Sequence, residues 1–336
     1  MIIKKNYFRD LLIRRISLFL TFCAIILVSA YSGNTNSAVF LSWVVNFVPL
    51  LFLSIAAAII ISSGEIDISI GAVMSFLGML LIIWISIFGL NLTNIIIAHI
   101  IVLFAGISIY LIIYLIISNK IPSLIVTLSV YFIAKGLSTS LQVFLQGAGT
   151  LWRSHGADFL VSKSGVLPSE YVLHVFGTPI ISIIIVIGLI SASYFWRFHT
   201  RSGLEHVAIG LNPVSARFVG ISKRKVHFLT FLIAGVLITF ATFLRLHGQT
   251  QGGWSANTGW GEELIAIAIA VIGGTRITGG HFDPISVVLS ALIVYGLRDV
   301  VTNDLGLPSE MASIAFGLIM CIVVWFDMRR QRGYNQ

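Results

Sequence analysis

Charge is what this sequence has least of. Only 10% of its 336 residues are charged, where an ordinary soluble domain carries about a quarter. With 57% hydrophobic residues, a water-soluble domain is excluded. Cysteine is nearly absent too: Cys23 and Cys321 lie in separate apolar runs. That rules out a disulfide framework and a thiolate metal site, leaving both as small lipid- or core-facing residues. No G-x-x-x-x-G-K-[ST] occurs, so the chain cannot cradle ATP phosphates itself. Neither H-E-x-x-H nor G-x-S-x-G is present, which removes the support for a membrane metalloprotease or a serine hydrolase. The eight histidines are dispersed, and His199, His206 and His227 read as surface residues of a polar loop. No catalytic residue, metal site or cofactor is expected.

What charge there is carries a sign, with 21 Lys and Arg against 13 Asp and Glu, net +8. Nucleic acid is the weaker explanation of this excess, because the cations are placed by topology. Fifteen of the 21 fall in segments assigned to one side of a membrane: Lys4, Lys5, Arg9, Arg14, Arg15, Lys120, six in a central loop, and Arg329, Arg330 and Arg332. The central loop, about 197–227, holds Arg197, Arg201, Arg217, Lys223, Arg224 and Lys225 against one acid, Glu205. By the positive-inside rule it lies in the cytoplasm. Its small and apolar residues, broken by Gly210, Asn212, Pro213 and Gly220, predict a short amphipathic helix.

The apolar runs predict membrane spans of about twenty residues. They cover Ile16–Ala30, Ala38–Ile61, Gly71–Leu90, Asn94–Ile117, Ser123–Leu145, Ile180–Trp196, Phe228–Leu246, Pro284–Val301 and Ser309–Phe326. Leu264–Ile272 is too short to cross alone. The first run has the look of a signal peptide ending at Val28-Ser29-Ala30, but an uncleaved first helix is preferred. Counting the short run gives about ten crossings. An even count places both basic termini on the cytoplasmic side with the central loop. The expected fold class is all-α: a polytopic membrane protein with broken or re-entrant segments, forming a single transmembrane domain over residues 1–336. A polar stretch, Gln146–Pro179, would lie outside.

Two interruptions stand out, SSGEIDISIG (Ser62–Gly71) and GGTRITGGHFDP (Gly273–Pro284). Glycine and proline at membrane depth free backbone groups that lipid cannot satisfy, which is tolerated only inside protein or around a water-filled cavity. An acid at that depth costs about 2.5–3.5 kcal/mol, so Glu65 and Asp67 strengthen this reading. Ordinary cytoplasmic loops with helix caps at Asp67, Ser69 and Asp283-Pro284 explain the same residues equally well. Glu65, Asp67, Ser69, Thr275 and Thr278 are the candidate lining or bracing residues of a translocation path. Lys135 reads either as snorkelling or as the partner of a buried acid. Most tryptophans suit an interfacial belt. Trp254 and Trp260, in an external polar, glycine-rich segment, stay open as the lining of a solute entrance.

SGEIDISIGAVMSFLGML resembles the signature of the inner-membrane permeases of monosaccharide ABC importers (ribose, xylose, arabinose, galactose and autoinducer-2 systems), which typically read GGIDLSVGA here. IPSLIVTLSVYFIAKGL, RSGLEHVAIGLNPVSARFVGI, AVIGGTRITGG and GLPSEMASIAFGLIMCIVVWFD resemble further stretches of that family in order. Glu65 stands where the family has glycine, Arg276 replaces a small residue, and His281-Phe282-Asp283 replaces a Gly-Ser-like step.

The resemblance implies a non-catalytic subunit of roughly ten helices that pairs with a second permease copy or a paralogue. ABC ATPase subunits would bind below and hydrolyse the ATP. A periplasmic or lipid-anchored sugar-binding protein would dock above. The Arg201–Ile221 loop would contain the coupling helix, with Asn212, Pro213, Ala216, Arg217 and Gly220 meeting the ATPase. A permease for branched-chain amino acids shares this architecture, and an ion-gradient-driven secondary transporter also uses broken helices with carboxylates at the breaks.

Overall fold

A computed structural model describes residues 37–89, 91–152, 178–248 and 254–308, with scattered positions between 12 and 27 and between 311 and 318. Ten helices are complete among them: α1 (Ser37–Ser62), α2 (Ile70–Phe88), α3 (Leu92–Ser118), α4 (Ser123–Trp152), α5 (Pro179–His199), α6 (Arg201–Leu211), α7 (Pro213–Phe218), α8 (Lys223–Gly248), α9 (Glu262–Ile272) and α10 (Pro284–Asp299). Residues 14–23 are also helical, and no strand occurs among the described residues.

Local chemistry sets the ends. Asn91 caps α3 by accepting from Asn94 N at 2.8 Å. Gly89 stops α2 at φ 83, and Lys120 at φ 69 breaks α3 from the Pro122 step. Pro179 and Pro284 sit at the first turns of α5 and α10, where the missing N–H costs nothing.

Seven of these elements are long and apolar enough to cross a membrane, so the chain is an all-α, multi-pass membrane protein. The expected boundaries from Gly71 to Ile117 agree with the observed ones to within a few residues, whereas α4 continues past the expected end at Leu145 to Trp152, into the stretch expected to lie outside. The first expected span is helical over residues 16–23, and the last lies largely outside the described residues. The short run is a short helix: α9 has 11 residues, roughly 16 Å at 1.5 Å per residue, against a core of about 30 Å.

Burial sorts the helices. The span of α1 is 94% buried and that of α5 only 11%, so α1 is the axis and α5 belongs to the rim. Around α1 lie α8, α9, α10 and α5, and α2 is held between α4, α3 and α8. Lipid-facing side chains such as Phe104, Phe132 and Ile180 are exposed, as a hydrocarbon solvent demands. Since lipid gives packed helices no hydrophobic drive, close approach through small residues does the work. On α3 a Cβ at Gly106 would strike Thr239 of α8, and one at Gly235 of α8 would press on Tyr110 and the Gly106 carbonyl.

Candidate functional site: where two chain breaks and the polar loop meet

The first break begins as α1 runs out. The Ser62 and Ser63 hydroxyls donate back to the Ile59 and Ile60 carbonyls at 3.0 and 2.7 Å, and Gly64 turns the chain at φ +87. Residues 65–68 then run without regular structure until Ser69 enters α2 in a helical conformation, and their backbone groups need partners. Two α4 side chains one turn apart supply them: Ser123 Oγ accepts from Ile66 N at 3.1 Å, and Thr127 Oγ1 accepts from Ile68 N at 3.3 Å. Asp67 is 1% exposed. Its carboxylate accepts from Ser69 N and Ser69 Oγ, both at 2.6 Å, and from Tyr110 OH at 2.7 Å. Of the two readings of this break, protein-lined backbone fits residues 66–69, half-buried at Ile66 and Ile68 and buried at Asp67 and Ser69, and a local turn cap fits Asp67. Glu65 lies at the edge, with Lys223 Nζ and His227 Nδ1 each 3.4 Å from Oε1.

The second break starts at Gly273, where a Cβ would collide with the α10 backbone at Val287. Arg276 N donates to the His281 carbonyl at 3.1 Å and Gly279 N to the Arg276 carbonyl at 2.9 Å, so the segment folds on itself. Gly279 and Gly280 adopt φ +89 and +83, which favours glycine at both. Asp283 caps α10 through Ser286 N at 3.2 Å and Ser286 Oγ at 2.6 Å. It also holds Arg15 in a fork of 2.9 and 2.6 Å. Burial alone would raise the Asp283 pKa, but the bonds from Arg15 and Ser286 bring it below the usual carboxylate value. Thr275 is buried, while Arg276, Ile277 and Thr278 are exposed at the tip.

The polar loop folds as two helices rather than one. Thr200 caps α6 by accepting from Gly203 N at 3.1 Å, and Asn212 caps α7 by accepting from Val214 N and Ser215 N at 3.0 Å. Pro213 occupies the first turn of α7. Ala216 is 4% exposed and seats against Ile209 and Val226. It is therefore turned inward, correcting the expectation that its small side chain faces a partner. The outward residues of the loop include Leu211, Val214, Arg217, Phe218, Val219 and Gly220, and Phe218 is 88% exposed.

All three pieces touch at one seam. Gly280 N donates to the Ser62 carbonyl at 2.7 Å, and a Cβ on Gly210 would strike both that carbonyl and the Gly280 backbone. His206 bridges further: Nε2 lies 2.8 Å from Ser62 Oγ and Nδ1 lies 3.1 Å from Thr230 Oγ1, with the Trp196 ring edge-on at 5.1 Å. Burial, aided by the Arg197 and His227 charges, pushes the His206 pKa down to about 3, so the ring is neutral at ordinary pH. His206 and His227 are both buried and are not the surface residues expected; His199 is exposed.

The seam thus unites the loop with Glu65 and the two breaks. Asp67 and Ser69 share one turn, whereas Thr275 and Thr278 point to different environments. Sequence reading missed Tyr110, Ser123, Thr127, His206 and Arg15. Ser123 and Thr127 carried a signal, since hydroxyls four apart on an apolar helix share a face; Tyr110 carried none. Among the described residues no group of three or more His, Cys, Asp or Glu is placed to hold a metal ion.

The open tryptophans separate. Trp254 is buried, its Nε1 donating to the Ser75 carbonyl at 3.0 Å, and a Cβ on Gly78 would meet its ring. It is a structural wedge against the Ser75 and Gly78 face of α2. Trp260 is 63% exposed, with Lys135 Nζ 4.5 Å from its ring centre.

Comparison with known proteins agrees with this architecture. The chain is 28% identical to the Fructose import permease protein FruG of Bifidobacterium longum (strain NCC 2705) over 288 residues, 82% of this chain and 78% of that one. It is 31% identical to the Inner membrane ABC transporter permease protein YjfF of Escherichia coli (strain K12) over 274 residues, 81% and 78% of the two chains. The Galactofuranose transporter permease protein YtfT of the same strain is 25% identical over 280 residues, 82% and 76%. No solved structure matches. A sequence model of one permease family matches residues 39–324, nearly the whole helical bundle. This chain therefore belongs to the family described as Branched-chain amino acid transport system / permease component.

Proposed function

We propose that this protein is the membrane-spanning subunit of an ATP-driven ABC importer that carries a monosaccharide or a related polyol-like solute across the bacterial inner membrane. The observation that carries the reading is the seam: the polar loop makes backbone contact with both chain breaks, so a force on α6 and α7 reaches the membrane interior without an intervening hinge. The similarity to permeases named for fructose and galactofuranose import supports a sugar as solute.

In this reading the subunit performs no chemistry. ABC ATPase subunits hydrolyse ATP and seat on the loop, through Asn212, Pro213, Arg217 and Gly220 with Val214, Phe218 and Val219 around them. Ala216 shapes the seat from within. A sugar-binding protein, periplasmic or lipid-anchored, delivers the solute at the opposite end, and a second permease copy or paralogue completes the route. Both termini lie in the cytoplasm. The Arg15–Asp283 fork supports this for the amino-terminal end, because it ties that end to the loop side. Glu65, Asp67, Ser69, Thr275 and Thr278 brace the inner part of the route. A neutral sugar gives the acids no charge to bind, so their role is to hold the breaks in shape.

The family description names branched-chain amino acids, so the deciding experiment supplies both solute classes. Vesicles with the complete assembly should take up one of fructose, ribose or galactose on ATP addition and should not take up leucine. Leucine uptake without sugar uptake would transfer the reading to the amino acid branch.

A further inference from the structure

We propose that Lys135, Asn257 and Trp260 form a solute-contacting patch halfway through the translocation route, which takes a neutral polyhydroxylated ring. This rests on the importer reading above. Lys135 is the thirteenth residue of α4, roughly 18 Å along the axis from Ser123 and so near the middle of a core of about 30 Å. Its ammonium donates to Asn257 Oδ1 at 2.7 Å and to the Ala256 carbonyl at 3.2 Å, and lies over the Trp260 ring at 4.5 Å. Asn257 and Trp260 are nevertheless exposed.

Lipid is the wrong neighbour for such a surface. A lysine at helix-centre depth costs about 2.5–3.5 kcal/mol on insertion scales, and a half-bonded amide beside it adds to that. The patch must therefore face water or protein. Its composition favours a sugar over a protein face. The uncovered indole surface suits the apolar C–H face of a pyranose. Among the described residues the Asn257 amide nitrogen has no bonded partner, which leaves a donor for a hydroxyl. This combination of aromatic surface and a few placed polar groups is how small-molecule sites are built.

The patch is also held in place before any solute arrives. Gln142 Oε1 accepts from Ala256 N at 2.6 Å, Ser75 Oγ donates to the Ala256 carbonyl at 2.8 Å, and Trp260 N closes a turn on the Asn257 carbonyl at 3.0 Å. The buried Trp254 wedge anchors the start of the same segment. Rigid support of this kind lets a weak site act without ordering a loop at each cycle.

The test uses the complete importer in vesicles, in a C23S/C321S background carrying N257C, with labelled fructose, ribose and galactose as probes. During ATP turnover a charged methanethiosulfonate reagent should modify N257C, and the sugar that the assembly carries should slow the reaction several-fold. In a second arm, Trp260→Ala should lower uptake about tenfold, with ATP hydrolysis stimulated by the loaded binding protein retained, and Trp260→Phe should keep most of the uptake. An inert N257C, modification indifferent to sugar, undiminished uptake by Trp260→Ala, or loss of hydrolysis together with uptake would each overturn the patch. An unmodified assembly that carries no sugar under ATP would instead overturn the importer reading itself.

Discussion

Asp67 shows what a single residue must satisfy at a chain break. Burying a carboxylate is tolerable only when its oxygens are bonded, and three donors meet this one. Because the side chain closes a local turn, geometry matters more than charge: asparagine also caps, and its amide can serve the Tyr110 oxygen. Asp67→Asn should keep measurable uptake and Asp67→Leu should lose it; equal activity of the two would remove Asp67 from any bracing role. His206 gives a second residue-scale expectation. Its folded pKa is depressed to about 3, so between that value and the ordinary 6.5 the unfolded chain binds more protons. The stability it contributes is therefore complete above about pH 6.5 and declines as pH falls. At pH 5 the loss should be about 2 kcal/mol. Thermal melting of the detergent-solubilised protein at pH 7 and pH 5 checks this, and His206→Gln should shrink the difference.

At the scale of elements, the loop is two helices with opposite jobs. α6 turns His206, Ile209 and Gly210 inward to the seam, and α7 turns Val214, Phe218 and Val219 outward. An exposed aromatic beside apolar neighbours is a typical anchor for a partner pocket. Phe218→Glu should leave the protein in the membrane but lower co-purification of the ATPase and uptake by at least about tenfold, since 1.4 kcal/mol of lost contact suffices. Gly280→Val should act differently. It forces a branched side chain onto φ +83 and into Leu211, so the seam itself should open and thermal stability should fall. Unchanged melting of Gly280→Val would mean that the breaks and the loop are not held together there.

Elements were legible in the sequence wherever one local rule decided them. The apolar runs from Gly71 to Ile117, the Asn212-Pro213 start of α7 and the Asp283-Pro284 start of α10 each rest on short-range chemistry. The seam did not. Nothing near Ser62 announces that its carbonyl will receive Gly280 N, and His206 sits among polar neighbours that suggest solvent. Ala216 failed for the same reason: a small residue permits close approach, but whether to a partner or to Ile209 is decided by packing. The glycine run of the second break did show that backbone approaches closely there, without showing what approaches it.

For the whole molecule, the question is where the energy enters. The described spans present no dense grip for a solute comparable to a high-affinity sugar site, and the Lys135 patch is small and open. A weak membrane path suits a machine in which a soluble partner supplies specificity and ATP supplies direction. A secondary carrier would need the opposite: acids exposed to the path that load with ions. Instead, Asp67 is enclosed by Ser69 and Tyr110, Asp283 is forked to Arg15, and Glu65 faces Lys223 and His227. This protein reconstituted alone should therefore transport nothing. Uptake should appear only when the ATPase, a binding protein and ATP are all present, and should persist after the proton and sodium gradients are collapsed with ionophores. Sugar accumulation by vesicles holding only this chain, driven by an imposed ion gradient, would show that these enclosed acids do open to the path and that the energy comes from ions.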